Sequence, residues 1–146
     1  KPNVWVVNAG CGAIAIAPDY RMCVTHEAHT HHLIASIIDQ AGTIRHSEPF
    51  YYLHDMSNGT LYPSGTMAFD TKGNLYVATQ MGVQVADHNG RVRAILSLPA
   101  GRVDALAFSG KKLYVLCGER LFVRTMQAEG HNPAAGRRAY ASQGQG

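Results

Sequence analysis

Residues 65–99 read GTMAFDTKGNLYVATQMGVQVADHNGRVRAILSLP, and this stretch decides the fold. Met67 and Phe69 alternate with Ala68 and run into Asp70-Thr71-Lys72-Gly73-Asn74, a cluster of the residue types that turns require. Leu75-Tyr76-Val77-Ala78-Thr79 follows as a β-branched and aromatic strand, which Met81-Gly82 interrupts. Val83-Gln84-Val85 alternates again up to Asp87-His88-Asn89-Gly90, a turn ending in the hairpin dipeptide Asn-Gly. Val92, Ala94, Leu96 and Leu98 then alternate as far as Pro99. Four short strands in series, each joined by a tight polar turn, predict an antiparallel meander.

The unit recurs on both sides. Downstream, Asp104-Ala105-Leu106-Ala107-Phe108, the turn at Ser109-Gly110-Lys111, Leu113-Tyr114-Val115-Leu116, the break at Gly118 and Leu121-Phe122-Val123 repeat its first three strands. Upstream lies a longer copy: Ala13-Ile14-Ala15-Ile16-Ala17, Met22-Cys23-Val24, Leu33-Ile34-Ala35-Ser36-Ile37 and Phe50-Tyr51-Tyr52-Leu53. A four-stranded unit recurring every 40–50 residues or so is the signature of propeller blades. The expectation is an all-β chain: a partial β-propeller over residues 1–127, with blades near 10–54, 64–99 and 102–126. Val4-Trp5-Val6-Val7 is a spare strand expected to pair with a blade edge, and residues 128–146, rich in Gly, Ala, Gln, Ser and Arg, form an extended tail.

Composition narrows the function. The 146 residues are 46% hydrophobic and 16% charged, with a formal net charge of +3, an ordinary globular balance. No basic stripe interleaves with aromatics, so nucleic acid is not the expected partner. No apolar run reaches the roughly 20 residues that span a bilayer, so no membrane association is expected. Lys1-Pro2-Asn3 carries no leader pattern and reads as a truncation or a processed terminus. Cys11, Cys23 and Cys117 are odd in number and irregular in spacing, which predicts buried free thiols rather than a disulfide framework. They leave the compartment of a soluble chain open among cytoplasm, periplasm and the secreted space.

The stretch from Met67 to Thr79, together with Gly82-Val83-Gln84-Val85 and Gly90-Arg91-Val92, resembles the gluconolactonase/regucalcin family of sugar lactonases. Ala17-Pro18-Asp19, Pro49-Phe50-Tyr51-Tyr52-Leu53 and Leu113-Tyr114-Val115 fit the same family in the same order, over roughly residues 10–127. The resemblance implies the C-terminal half of a six-bladed propeller. It also implies a divalent cation, calcium or zinc, in the central channel, where a hard cation polarises a lactone carbonyl and a carboxylate activates water. Of the ligands so implied, an Asn falls at Gly12 and an Asp at Gly65, and neither glycine can coordinate. A register slip of one residue would bring in Cys11 or Ser64, which restores no carboxylate. The family's remaining ligands belong to a half that this sequence does not contain.

Two other groups of residues carry candidate chemistry. His26-Glu27-Ala28-His29-Thr30-His31-His32 packs four imidazoles and a carboxylate into seven residues. His26, Glu27, His29 and His31 could hold zinc, or they are the polar residues of a solvated blade turn. First strands of blades begin near the channel axis, so Asn8, Cys11, Ser64, Thr66, Arg102 and Asp104 are the candidates to line it. Arg102 with Asp104 either holds a polar or anionic ligand, or is an ion pair or a solvent-exposed turn; a small sugar-like ligand is the partner that the resemblance implies. Asp19, Asp70 and Asp87 are read as turn formers. Three blades do not close a ring, so the remainder is expected from another polypeptide or a second copy. Two functions stay open: a lactonase-like hydrolase module, or a non-catalytic propeller used for binding or assembly.

Overall fold

The computed structural model describes residues 12–26, 30–54 and 65–134. The eleven described strands form three antiparallel sheets in simple sequential order. Blade 1 comprises β1 (Ile14–Ile16), β2 (Met22–His26), β3 (His32–Ile38) and β4 (Ile44–Tyr52). Blade 2 comprises β5 (Met67–Phe69), β6 (Leu75–Thr79), β7 (Gly82–Ala86) and β8 (Val92–Leu96). Blade 3 has β9 (Ala105–Ser109), β10 (Lys112–Cys117) and β11 (Arg120–Thr125), and no fourth strand among the described residues. No helix among the described residues is long and apolar enough to cross a membrane.

One local device makes three of the turns. Asp39, Asp70 and Asp87 each stand three residues before a glycine, and in each turn the carboxylate Oδ1 accepts two backbone N–H groups. The donors are Ala41 and Thr43 at 3.0 and 2.8 Å, Lys72 and Asn74 both at 2.9 Å, and Asn89 and Arg91 at 2.9 and 3.2 Å. Gly42, Gly73 and Gly90 close these turns at φ of 79°, 85° and 78°, a region that suits glycine far better than other residues. The Thr43 amide, with the Arg45 guanidinium, holds the Asp39 carboxyl below its usual range. The turn at Asp39 also corrects the expected start of the fourth strand of blade 1, read as Phe50-Tyr51-Tyr52-Leu53. That strand begins at Ile44, six residues before Phe50, because a tight turn at residues 39–43 launches it directly. Register shifts at Leu33/Ile34 and Ser36/Ile37 accommodate its length.

The core lies in the two seams between blades. Ala15, Val24, Leu33, Tyr51 and Leu53 of blade 1 meet Met67, Phe69, Leu75, Val77 and Ala86 of blade 2. Tyr76, Ala78 and Val83 face Val103, Leu106, Leu113, Val115 and Cys117 on the blade 3 side. Alternate residues of β6 thus enter opposite seams, which explains why Leu75-Tyr76-Val77-Ala78 is apolar throughout.

Sandwiching also buries a polar side chain. Gln84 on β7 is fully buried; its carbonyl accepts from the His54 N–H at 2.8 Å, and its amide donates to the His54 carbonyl at 2.7 Å. It therefore ties the chain leaving blade 1 to the middle of blade 2. Gln84→Ala removes both bonds to the His54 backbone and should cost about 2 kcal/mol, roughly 1 for each bond, read as a lower urea midpoint. Amide exchange at His54 should accelerate in the same variant.

Residues 128–134 return across the blades as a strap. The Thr71 N–H donates to the Glu129 carbonyl at 2.8 Å, the His131 N–H to Phe69 at 2.8 Å and the Gly130 N–H to Gly110 at 2.8 Å. Gly130 lies so close to Phe108 that no side chain fits between them. The Tyr20 hydroxyl donates to the Pro133 carbonyl at 2.8 Å, and its ring meets His131 edge-on at 5.5 Å. Residues 128–134 therefore bond to all three blades. Burial pushes the His131 imidazole below its usual pKa. The unfolded state accordingly takes up the proton first, so the strap contributes fully above about pH 6.5 and weakens as pH falls through the depressed value. Amide exchange at His131 and Thr71, corrected for intrinsic rate, should quicken between pH 7 and pH 5. His131→Phe should flatten that dependence.

Candidate functional site

Each blade's first strand runs from one end of the body to the other, and the two ends differ in chemistry. At the starting end stand Gly65, Thr66, Arg102 and Asp104. The Thr66 hydroxyl accepts from the Leu106 N–H at 2.6 Å and donates to the Leu106 carbonyl at 2.9 Å. It staples the first strands of blades 2 and 3 together. Arg102 Nε lies 2.8 Å from Asp104 Oδ1, and Asp104 Oδ2 accepts the Gly118 N–H at 2.7 Å. Asp104 thus aligns Arg102 and ties down the β10–β11 turn. Asn8, Cys11 and Ser64, the other candidates for this end, lie outside the described residues.

The His-rich segment joins β2 to β3, and its residues separate. His26 is not a turn residue: it ends β2, paired with Leu33, is 1% exposed, and its Nε2 lies 3.2 Å from the Thr30 carbonyl oxygen. His31 is exposed and meets His32 edge-on at 4.4 Å; His32 in turn meets Tyr52 at 4.6 Å. Glu27 and His29 lie outside the described residues. Cys23 and Cys117 are free and buried, and burial pushes both thiols up, which keeps them unreactive. Cys11 is outside the described residues.

At the opposite end, where β1 and β5 finish, blades 1 and 2 part to leave a cleft of about 430 Å³. Tyr51 and Phe69 lie inside it, and Asp19, Lys72 and His88 stand around it on the blade turns. From the sequence Tyr51 reads as a strand residue, and Lys72 and His88 as turn residues. The signal was an aromatic run at the end of β4, but which seam it enters depends on blade packing.

The SMP-30/gluconolactonase/LRE-like region model matches residues 8–119. The chain belongs to this family. No curated protein matches the sequence. Among solved structures, a putative gluconolactonase aligns with a TM-score of 0.70 at 13% identity, over 84% of this chain and 40% of its own. A gluconolactonase from Xanthomonas campestris aligns with a TM-score of 0.64 at 17% identity, over 84% of this chain and 38% of its own. A calcium-binding regucalcin from Agrobacterium tumefaciens aligns with a TM-score of 0.65 at 17% identity, over 82% of this chain and 46% of its own. These likenesses show the propeller fold, and the SMP-30/gluconolactonase/LRE-like chain spans less than half the length of each. Gly12 and Gly65 offer no donor, a Cβ on Gly65 would collide with the Asp104 carbonyl oxygen, and no three described His, Cys, Asp or Glu side chains converge.

Proposed function

We propose that this chain builds the frame of a gluconolactonase-type channel. The family's activity is metal-dependent hydrolysis of a sugar lactone, and the metal ligands come from beyond the described residues. The observation that carries this reading is Gly65: at the position of the family's acid, the backbone lies against Asp104 so closely that no side chain fits. The engaged oxygens of Thr66 and Asp104 support it, since both spend their bonds on joining strands. A sugar-like ligand would meet the Arg102 end of this wall.

A second reading, a non-catalytic propeller for binding or assembly, draws on one observation. Blade 3 turns Leu121 and Val123 outward at 64% and 52% exposure, an apolar face of the kind that further blades cover. Those blades would come from a continuing chain, another polypeptide or a second copy.

Calorimetry with calcium and zinc, and hydrolysis of glucono-δ-lactone, test the first reading. The 146-residue chain should bind neither ion stoichiometrically and should not hydrolyse the lactone above the buffer rate. Stoichiometric binding with lactone turnover by this chain alone would overturn it. Turnover by a protein carrying the remaining blades supports the frame reading, and its absence there supports the non-catalytic one.

A further inference from the structure

Blades 1 and 2 have four strands each and blade 3 has three, so β11 is flanked by β10 on one side and by no described strand on the other. The described chain that follows β11 does not fill the place. Met126 donates its N–H to the Lys111 carbonyl at 2.7 Å, and residues 128–134 go on as the strap to Gly110 and Phe69. Register shows what the place is built for. Ala78 pairs with Val83 in blade 2 as Leu116 pairs with Leu121 in blade 3. Ala78 and Val83 are fully buried under blade 3, whereas Leu116 and Leu121 are exposed. The other end of the stack shows the converse. Ile14, Met67 and Leu106 hold one position in β1, β5 and β9, each just before an alanine paired to the second strand of its blade. They are 63%, 7% and 6% exposed, because blades 2 and 3 have a described blade before them and blade 1 does not. Each end therefore presents one half of a seam that the middle of the stack holds complete.

We propose that a second copy of this chain completes blade 3. It donates Val4-Trp5-Val6-Val7 as the fourth strand along β11 and lays its own blade 1 over Leu116 and Leu121, and the first copy does the same in return. Residues 4–7 lie outside the described residues, and their place in the chain order carries the assignment. A fourth strand leads into the first strand of the next blade, as β8 leads into β9 across residues 97–104. Residues 4–7 lead into β1 across residues 8–13 in the same way. Such a link reaches roughly 23 Å when extended, against roughly 14 Å between the first and fourth strands of a blade. Blade 2 stands between blade 1 and the chain's own β11, so the edge that the link can serve is that of another copy. A strand added to a free edge gains main-chain bonds along its length. Three blades are half of the six-bladed ring that the resemblance implies, so two copies close it about a two-fold axis and leave no open end. The inference rests on the assembly reading above, to which it gives one occupant, and lactone turnover does not enter its test.

Sedimentation velocity of the full chain, with the fluorescence of its single tryptophan, Trp5, tests this. A two-copy species should form, and its dissociation on dilution should shift the Trp5 emission to the red. Amides of β11 that do not bond β10 should exchange slowly in the pair and fast in the separated chain. Leu121→Lys, a change at an exposed position, should keep the circular dichroism of the single chain. It should weaken pairing at least about tenfold, because its charge would enter the seam unpaired. Val6→Pro removes a strand N–H and should weaken pairing likewise. A chain that stays single at high micromolar concentration, or grows beyond two copies, overturns the proposal, while the assembly reading answers to the lactone assay above. A pair that keeps its affinity in Val6→Pro, with Trp5 emission unmoved by dilution, overturns it as well.

Discussion

Asp70→Ala should lower the unfolding free energy of the chain by about 3–5 kcal/mol, the cost of removing one partner from a buried, charged hydrogen-bond cluster. Asp70 is fully buried. Its Oδ1 accepts the Lys72 and Asn74 N–H groups at 2.9 Å, and its Oδ2 accepts the Asn74 side-chain amide at 2.8 Å and the Tyr76 hydroxyl at 3.4 Å. Burial, with the Asp70 charge behind it, pushes the Tyr76 phenol up to about 12, so that hydroxyl remains a donor at any ordinary pH. Alanine strands all four donors at once. The strap would loosen with them, because Asp70 bridges to Gly130 and Thr71 holds Glu129. The matching change at Asp39 is the control. That turn has the same backbone bonds, but the Asp39 side chain is 31% exposed and water can take over. Asp39→Ala should cost markedly less, because the donors it leaves can turn to water. Urea unfolding followed by circular dichroism reads both. Equal losses would show that the turn, and not burial, sets the value of Asp70.

The contrast between these two aspartates marks what the sequence could and could not disclose. A turn of the Asp-x-x-Gly type is local: its bonds run among five consecutive residues, so the strands on either side of Asp70 and Asp87 were legible. The beginning of β4 was not, because Arg45-His46-Ser47-Glu48 is exposed and carries no alternation for a reader to follow. Gln84 reads in the sequence only as a residue of an alternating strand, and His26 as part of the His-rich turn. Both are buried, since each sits on a strand whose polar side chain is enclosed by the packing around it. Position in the chain order names Thr66, Arg102 and Asp104 together as candidates to line a channel. It could not show that Thr66 reaches Leu106, 40 positions away, nor that the Tyr20 hydroxyl donates to the Pro133 carbonyl across 113. Tyr51 shows the same limit: strand periodicity places it in a seam, and only the facing blade determines whether its hydroxyl meets a partner.

Gly65→Ala should destabilise the chain by about 2–3 kcal/mol, the usual penalty for forcing atoms into packed space. Gly65→Asp should destabilise it further without creating affinity for calcium or zinc. Gly65 donates its N–H to the Ala78 carbonyl at 2.9 Å, which fixes its backbone against β6. From there a Cβ would point into the Asp104 backbone carbonyl and lie 2.9 Å from the Ala78 Cβ, and neither obstacle can swing away as a long side chain could. Gly42→Ala separates this effect from the generic loss of a glycine. Gly42 has φ of 79° but nothing within 4 Å of a new Cβ, so its cost is backbone strain alone, about 1–2 kcal/mol. Gly65 is the converse, a glycine required by space and not by a left-handed backbone. If Gly65→Asp instead folds with an unchanged midpoint and binds one divalent ion, the seam between blades 2 and 3 opens easily enough to admit a ligand. The wall would then be a metal site lacking one carboxylate, and not a frame closed against it.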